Sequence, residues 1–358
     1  MGTNRALVPD LLADPFRERS ARLLREEAHV LGGSFCFETE SPRLLELVRA
    51  AFADLPRHVL TLPAPRFHVR LELAAAINAA ASRKAANGST ASRRSARGNG
   101  SEPAAMTLLS GAGYLCATQP AASFATVSPA QRSALVVVSP EMADSAYHTR
   151  YELIEFTAYM LAARAQGLVS LHAACVALDG RALLLMGSAG AGKSTAALHC
   201  LLEQFELVSE DSVLVAPDSL RATGLANFLH IRHDGLRLVK DPKVAARLRQ
   251  SPVIRRRSGV RKLEIDLRSV GYRLADAPPE IVGVVFLSSE VAQPLVKRLR
   301  KRALVERLRS TQAYAASCPG WSTFARNIYR LPAFEVRRGA HPLDTVHALR
   351  ALVSSTRR

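Results

Sequence analysis

Apolar residues fall into three patterns along this chain, each predicting a different element. Ala182-Leu183-Leu184-Leu185-Met186 is an unbroken apolar run of strand length, as expected of a strand buried on both faces. Phe67-His68-Val69-Arg70-Leu71-Glu72-Leu73 alternates apolar with polar, which predicts a half-buried strand. Ala197, Leu198, Leu201, Leu202 and Phe205 recur at helical spacing, so a helix is expected soon after the apolar run.

The remaining elements follow in chain order. Leu11, Leu12, Phe16, Leu23 and Leu24 gather loosely on one side of a charged helix expected over 10–29, which Gly32-Gly33 breaks. A short strand is expected at 34–37. Ser41-Pro42 then reads as a helix opening, a cap followed by proline in the first turn, with Leu44, Leu45, Leu47, Val48 and Phe52 as its apolar side. Residues 79–103 shift to Ala, Ser, Asn, Gly and Arg, too polar to offset ordering entropy, and are expected to form a flexible insertion. Short strands at 106–109, 113–118, 123–127 and 134–139 suggest a meander. A helix is expected at 151–165 and a strand over 169–178. Asp179-Gly180 then separates two apolar runs, a strong hairpin signal. Further strands are expected at 264–267, 281–287 and 331–337, and a closing helix at 344–353. These elements divide the chain into an α+β region over 1–147 and a second domain over 148–358.

Composition changes the picture little. At 358 residues, 48% hydrophobic and 22% charged, the chain is an ordinary globular sequence. It has no apolar run long enough to cross a membrane and no secretory signal in its first thirty residues, so a cytoplasmic protein without a membrane partner is expected. Cys36, Cys116, Cys175, Cys200 and Cys318 show no C-x-x-C spacing, which argues against a disulfide framework or a zinc site. The net charge of +17 comes largely from basic clusters at 83–97, 240–262 and 297–309. Such charge attracts polyanions, nucleic acid among them. No aromatics are interleaved with the clusters as stacking on single strands requires, so nucleic acid is not the favoured partner.

The chemistry concentrates between the apolar run and the following helix. Gly187-Ser188-Ala189-Gly190-Ala191-Gly192-Lys193-Ser194-Thr195 fits G-x-x-x-x-G-K-[ST], the phosphate-binding P-loop, at every required position. Glycines let backbone N–H groups turn toward a polyphosphate, and the helix after them points its positive end at the same anion. The motif assigns Lys193 to the phosphates and Ser194 to Mg²⁺. ATP or GTP is therefore the expected ligand. Some 17 residues past Lys193, Glu210-Asp211 interrupts a strand-like run. Buried carboxylates need a cation or a hydrogen-bond partner, which suggests Mg²⁺ or the nucleophile's proton; a solvated turn fits the spacing equally well. His172 stands at the head of the hairpin, where by itself a satisfied structural histidine fits the sequence better than a catalytic one.

Together these segments carry a resemblance. His172-Ala173-Ala174 before a hairpin, the loop Gly187 to Ser194, and Leu207-Val208-Ser209-Glu210-Asp211 resemble the catalytic domain of the bacterial HPr kinase/phosphorylase family. Its members carry a histidine before a hairpin, a G-x-S-G-x-G-K-S loop and a Leu-Val-Ala-Asp-Asp strand at nearly this spacing. The resemblance spans about 168–240 and extends to HPr kinase-related kinases outside sugar regulation, some of which modify peptides. It implies an α/β P-loop kinase domain of HPr kinase type, a mixed sheet with a hairpin before the loop, preceded by the small α+β region. It also implies ATP and Mg²⁺ as cofactors, nucleotide binding by residues 187–195, and Ser194 and Asp211 as metal contacts. Lys193, Glu210, Asp211 and His172 form the implied catalytic set. Two positions depart: Glu210 stands where the family has Asp, and His230, in Leu229-His230-Ile231-Arg232-His233-Asp234-Gly235, stands where its later signature has Glu.

The expected function is transfer of the ATP γ-phosphate to a hydroxyl, most naturally Ser or Thr of a protein or peptide, by a chain that self-associates. A small-molecule kinase, a regulatory P-loop switch and a nucleic-acid-binding ATPase remain as alternatives. The ABC signature Leu-Ser-Gly-Gly-Gln is absent.

Overall fold

The computed structural model describes residues 23–74, 106–119 and 123–355. The insertion expected at 79–103 and the first part of the helix expected at 10–29 lie outside the described residues. Among the described residues the fold is mixed α/β, with four sheets.

The first sheet has seven strands: β1 (Leu24–Val30), β2 (Gly33–Thr39), β3 (Arg66–Leu73), β4 (Thr107–Gly111), β5 (Tyr114–Gln119), β6 (Ser123–Ser128) and β7 (Ser133–Val138), in the order β1-β2-β3-β7-β6-β5-β4. The meander expected over 106–139 is present as β4 to β7, all antiparallel. Strand β3 is parallel to both β2 and β7 and buries Phe67, Val69 and Leu71, the alternation its sequence shows. Ser41 caps helix Pro42–Phe52 by accepting from the Leu44 N–H. That helix and helix Phe156–Ala165 contribute to the core on this sheet, through Leu44, Val48, Ala158 and Leu161. The helix expected over 10–29 is overturned at its end: residues 24–30 form β1, hairpinned to β2 through Leu31 (φ 54°) and Gly32 (φ 80°). The physical reason is pairing. Ala28 and Val30 are buried in alternation, and the sheet supplies hydrogen bonds that a loosely apolar helix lacks a partner to reward.

The strand expected over 169–178 is two strands that enter different sheets, β8 (Val169–His172) and β9 (Ala174–Leu178), with the break at Ala173. After β9 the Asp179-Gly180 turn, with φ 51° and 73°, gives the expected hairpin into β10 (Arg181–Met186). β11 (Glu206–Ser209), β12 (Ser212–Val215), β13 (Ala222–Gly224), β14 (Phe228–Ile231), β15 (Val253–Arg255), β16 (Arg261–Asp266), β17 (Glu280–Leu287), β18 (Val296–Arg298) and β19 (Ala333–Val336) follow. A six-stranded sheet orders them β11-β9-β10-β17-β19-β18, and smaller sheets run β13-β12-β8 and β14-β16-β15.

Strand β10 sits between antiparallel β9 and parallel β17, which is why its sequence is apolar throughout. Leu183 and Leu185 join the core with helix Lys193–Leu202 and helix Pro342–Ser355, while Ala182, Leu184 and Met186 join the core with helices Lys301–Thr311 and Trp321–Ile328. No described helix is long and apolar enough to cross a membrane.

Candidate functional site

Sheet register gathers the chemistry at one edge. Leu185 pairs with Ala174 and Ser209 with Cys175, so the end of β10, the start of β9 and the end of β11 lie side by side. Gly187, His172 and Glu210 emerge from those positions. Ser212 pairs with His172 across β12 and β8, which sets Asp211 beside the histidine.

The glycine loop runs from Gly187 to Gly192, and the helix begins at Lys193. Gly187 has φ 152° and no room for a side chain: a Cβ would lie 2.8 Å from the Leu287 carbonyl oxygen. Gly190 and Gly192 have φ 83° and 98° with open space around them, so backbone conformation is what demands glycine there. Ser188, Ala189 and Gly190 form the exposed lip, closed by a turn from Ala191 N–H to Ser188 O at 3.2 Å. Lys193 Nζ donates inward to Gly187 O at 2.7 Å and Ser188 O at 3.4 Å. Burial lowers the Lys193 pKa, against the pull of Asp211 and Glu210. Thr195, two residues further along the helix, faces Gly235.

Ser194 Oγ donates to Glu210 Oε1. The other Glu210 oxygen accepts from the His230 backbone N–H and faces His230 Nδ1, each at 3.1 Å. Glu210 is thus buried with both oxygens occupied. Burial works against its charge, but the hydrogen bond and charge of His230, with Lys262 and Ser194, outweigh it and hold the carboxyl down at about 2. His230 Nε2 in turn lies 3.1 Å from Glu264 Oε1, its cross-strand partner. Only an imidazolium can donate from both nitrogens. Burial opposes that charge, and the two carboxylates raise the pKa in spite of it.

Behind Glu264 the network continues. Arg150 pairs with both Glu264 and Glu155, its guanidinium 3.9 Å from the Phe228 ring centroid. Asn227 Nδ2 donates to Glu155 Oε1 and to Ala51 O, both at 2.9 Å, tying the site to helix Pro42–Phe52. Arg150 and Glu155 belong to a π-helical segment, Thr149–Glu155, a geometry common at functional sites.

Asp211 makes a separate set of contacts. His172 Nδ1 lies 3.2 Å from Oδ1, while Arg256 Nη1 lies 3.7 Å from Oδ2 and Tyr151 OH donates to Oδ2 at 3.5 Å. Its side chain is 28% exposed and that of His172 is 58% exposed. The structure therefore brings Ser194 to Glu210 and His172 to Asp211. Between Ser194 and Asp211 it shows no hydrogen bond.

In the fold Arg256 reaches Asp211 over the Tyr151 ring, whereas Arg257 binds Glu152 and Gln119. Sequence reading missed Arg150, Tyr151, Lys262 and Glu264. Their only sequence signal is charge or hydroxyl at strand and helix positions, and register across β14 and β16 is what makes His230 and Glu264 a pair.

A mixed α/β fold with a glycine loop and an acid pair at one sheet edge defines the class. No protein-family model matches the chain, and no curated protein does. Among solved structures it is similar to the HPr(Ser) kinase/phosphatase from Coxiella burnetii at 14% identity and a TM-score of 0.28, over 51% of this chain and 94% of that one. At that level too little backbone superposes for the likeness to bear on what this chain does.

Proposed function

We propose that the chain is an ATP-dependent phosphotransferase that moves the γ-phosphoryl group to a hydroxyl. One observation carries this reading: the glycine loop with Lys193, the Ser194–Glu210 pair and the Asp211–His172 pair all stand at one sheet edge. The loop and the N-terminus of helix Lys193–Leu202 cradle the phosphates, and Lys193 exchanges its loop carbonyls for phosphate oxygens.

The donor set fits Mg²⁺. The Ser194 hydroxyl would hold the ion, with the Glu210 carboxylate bonded behind that hydroxyl and the partly exposed Asp211 next in the chain. That suits an ion which keeps water and phosphate oxygens in its shell. When bound, it neutralises phosphate charge.

The two acids take different roles. Glu210, buried with both oxygens engaged, holds Ser194 and stays ionised. Asp211, partly exposed and oriented by His172, is the general base. The acceptor oxygen bonds to the γ-phosphorus, the bond to the β,γ-bridging oxygen breaks, and ADP leaves with that electron pair. The hydroxyl proton passes to Asp211.

The test is γ-labelled ATP incubated with a lysate of the source cell and with wild type, Lys193→Ala or Asp211→Asn protein. Label on a protein or peptide with wild type alone is expected. Asp211→Asn should lose transfer by about 10²-fold or more while binding ATP within about threefold of wild type. Full transfer by Asp211→Asn would sink the assignment of the base, and absence of ATP binding by wild type would sink the whole reading.

A further inference from the structure

Arg256 is the first residue past β15, in the turn that leads to β16, where its N–H donates to Val260 O at 2.9 Å and its carbonyl accepts from the Gly259 N–H at 2.9 Å. Its neighbour Arg257 ties that turn to Glu152 and Gln119. Glu152 belongs to the same π-helical segment as Tyr151, and the Tyr151 ring, stacked on Tyr147 at 5.6 Å, lies 5.5 Å from the Arg256 guanidinium carbon. Hairpin and ring together hold the guanidinium in place. Yet it is poorly bonded. Nε and Nη2 are buried and have no hydrogen-bond partner among the described residues, and Nη1 stands 3.7 Å from Asp211 Oδ2, beyond hydrogen-bond distance. Buried donors on a cation are costly when left unpaired, so a guanidinium placed this way calls for an anion that the chain itself does not supply.

We propose that Arg256 clamps the phosphoryl group during transfer, binding its outer oxygens from the acceptor side while Lys193 holds them from the donor side; the inference rests on the phosphotransferase reading. Position argues for the phosphoryl group. Asp211 takes the acceptor's proton, so the attacking oxygen lies beside it and the phosphorus one bond further on, within reach of a guanidinium whose Nη1 is 3.7 Å from the same carboxylate. Spacing argues against service to Asp211 alone. An arginine–carboxylate pair closes to about 2.8 Å, often through two nitrogens, and Asp211 already has His172 at 3.2 Å. Charge argues the same way. Glu210 is committed to His230 and Ser194, while Lys262, paired with Ile254 across the hairpin, sits in the field of Glu210, Arg256, Asp211 and Lys193 together. Three cations around one uncommitted carboxylate suit a group that spreads negative charge over its oxygens as the bond to the bridging oxygen breaks and the bond to the acceptor oxygen forms. Arg256 takes and gives no proton, so the balance of the transfer is unchanged.

The experiment measures binding of ADP, and of ADP with aluminium fluoride as a mimic of the phosphoryl group in transfer, to the full chain in Mg²⁺; it needs no acceptor. Wild type should hold the mimic about 10²-fold or more tighter than ADP. Arg256→Met, which keeps the stem and removes the guanidinium, should lose most of that preference, keep ADP affinity within about twofold and slow ATP hydrolysis by about 10²-fold or more. Its unfolding midpoint should hold or rise, because the nitrogens it loses are unpartnered. Arg256→Lys keeps the charge without the planar fork and should fall between the two. A mimic held as tightly by Arg256→Met as by wild type overturns the clamp, and so does an equal loss of ADP and mimic. A midpoint lowered by more than about 5 °C makes Arg256 a structural residue and overturns it too. In each of these cases tight binding of the mimic by wild type leaves the phosphotransferase reading standing. Wild type that shows no preference for the mimic over ADP overturns that reading, and the clamp with it.

Discussion

Arg150→Met probes the buried network that holds Glu210 in place. Arg150 is 3% exposed and its guanidinium bridges Glu155 and Glu264. Methionine keeps the apolar stem and removes the charge, leaving two carboxylates without their main cation. Breaking a buried pair costs about 3–5 kcal/mol. Glu155 keeps Asn227 Nδ2 and Glu264 keeps His230 Nε2, which places the loss near the lower end, and losing the cation over Phe228 adds about 1 kcal/mol. The expected cost is about 3–4 kcal/mol at pH 7. It should shrink on acidification. Burial already raises the Glu155 pKa against the pull of Arg150, and without Arg150 that value rises further above the unfolded one. A carboxyl whose folded pKa is raised contributes stability below its unfolded pKa and loses it as pH rises through the folded value, so the variant's deficit is largest at neutral pH and smaller near pH 5. Urea unfolding followed by circular dichroism at both pH values measures it. A deficit under about 1 kcal/mol at pH 7, or one that does not shrink at pH 5, would refute the buried-pair account.

Three further outcomes test other parts of the structure. His199 is buried on helix Lys193–Leu202, and burial, with His341 beside it, lowers its pKa to about 4 from 6.5. The unfolded chain then binds the proton first, so this residue costs about 3 kcal/mol as pH falls from 6.5 to 4 and nothing above 6.5; His199→Leu should flatten that slope, and an unchanged slope would refute it. Gly187→Ala should lower the thermal midpoint more than Gly190→Ala, because its Cβ meets the Leu287 backbone while that of Gly190 meets nothing; the reverse order would contradict the packing argument. His230→Gln cannot carry the second proton, so Glu210 loses its charged donor and transfer should drop about tenfold or more, with Glu210→Gln giving a similar loss; full activity in both would show that Glu210 does not position Ser194.

The sequence by itself determined the elements whose cause is local. The glycine loop, the apolar run before it, the helix after it and the Asp179-Gly180 hairpin were all legible, because backbone dihedrals and burial on both faces leave a mark at each position. Glu210 and Asp211 could be singled out because polar groups interrupting an apolar strand need partners, and His172 through the resemblance carried by its place before the hairpin. Which partner each one took was decided by tertiary structure alone. Pairing of β14 with β16 set His230 against Glu264, and pairing of β8 with β12 set His172 beside Asp211, so the two adjacent acids face different neighbours. Strand β1 was lost to sequence reading because Leu31-Gly32 lacks the usual hairpin residues and its alternation is half polar; only the sheet beside it makes a strand the better use of those residues. Arg150 was invisible for the deepest reason. A lone arginine is ordinary surface in any sequence, and only the fold shows that it lies buried between Glu155 of its own helical segment and Glu264, 114 residues away.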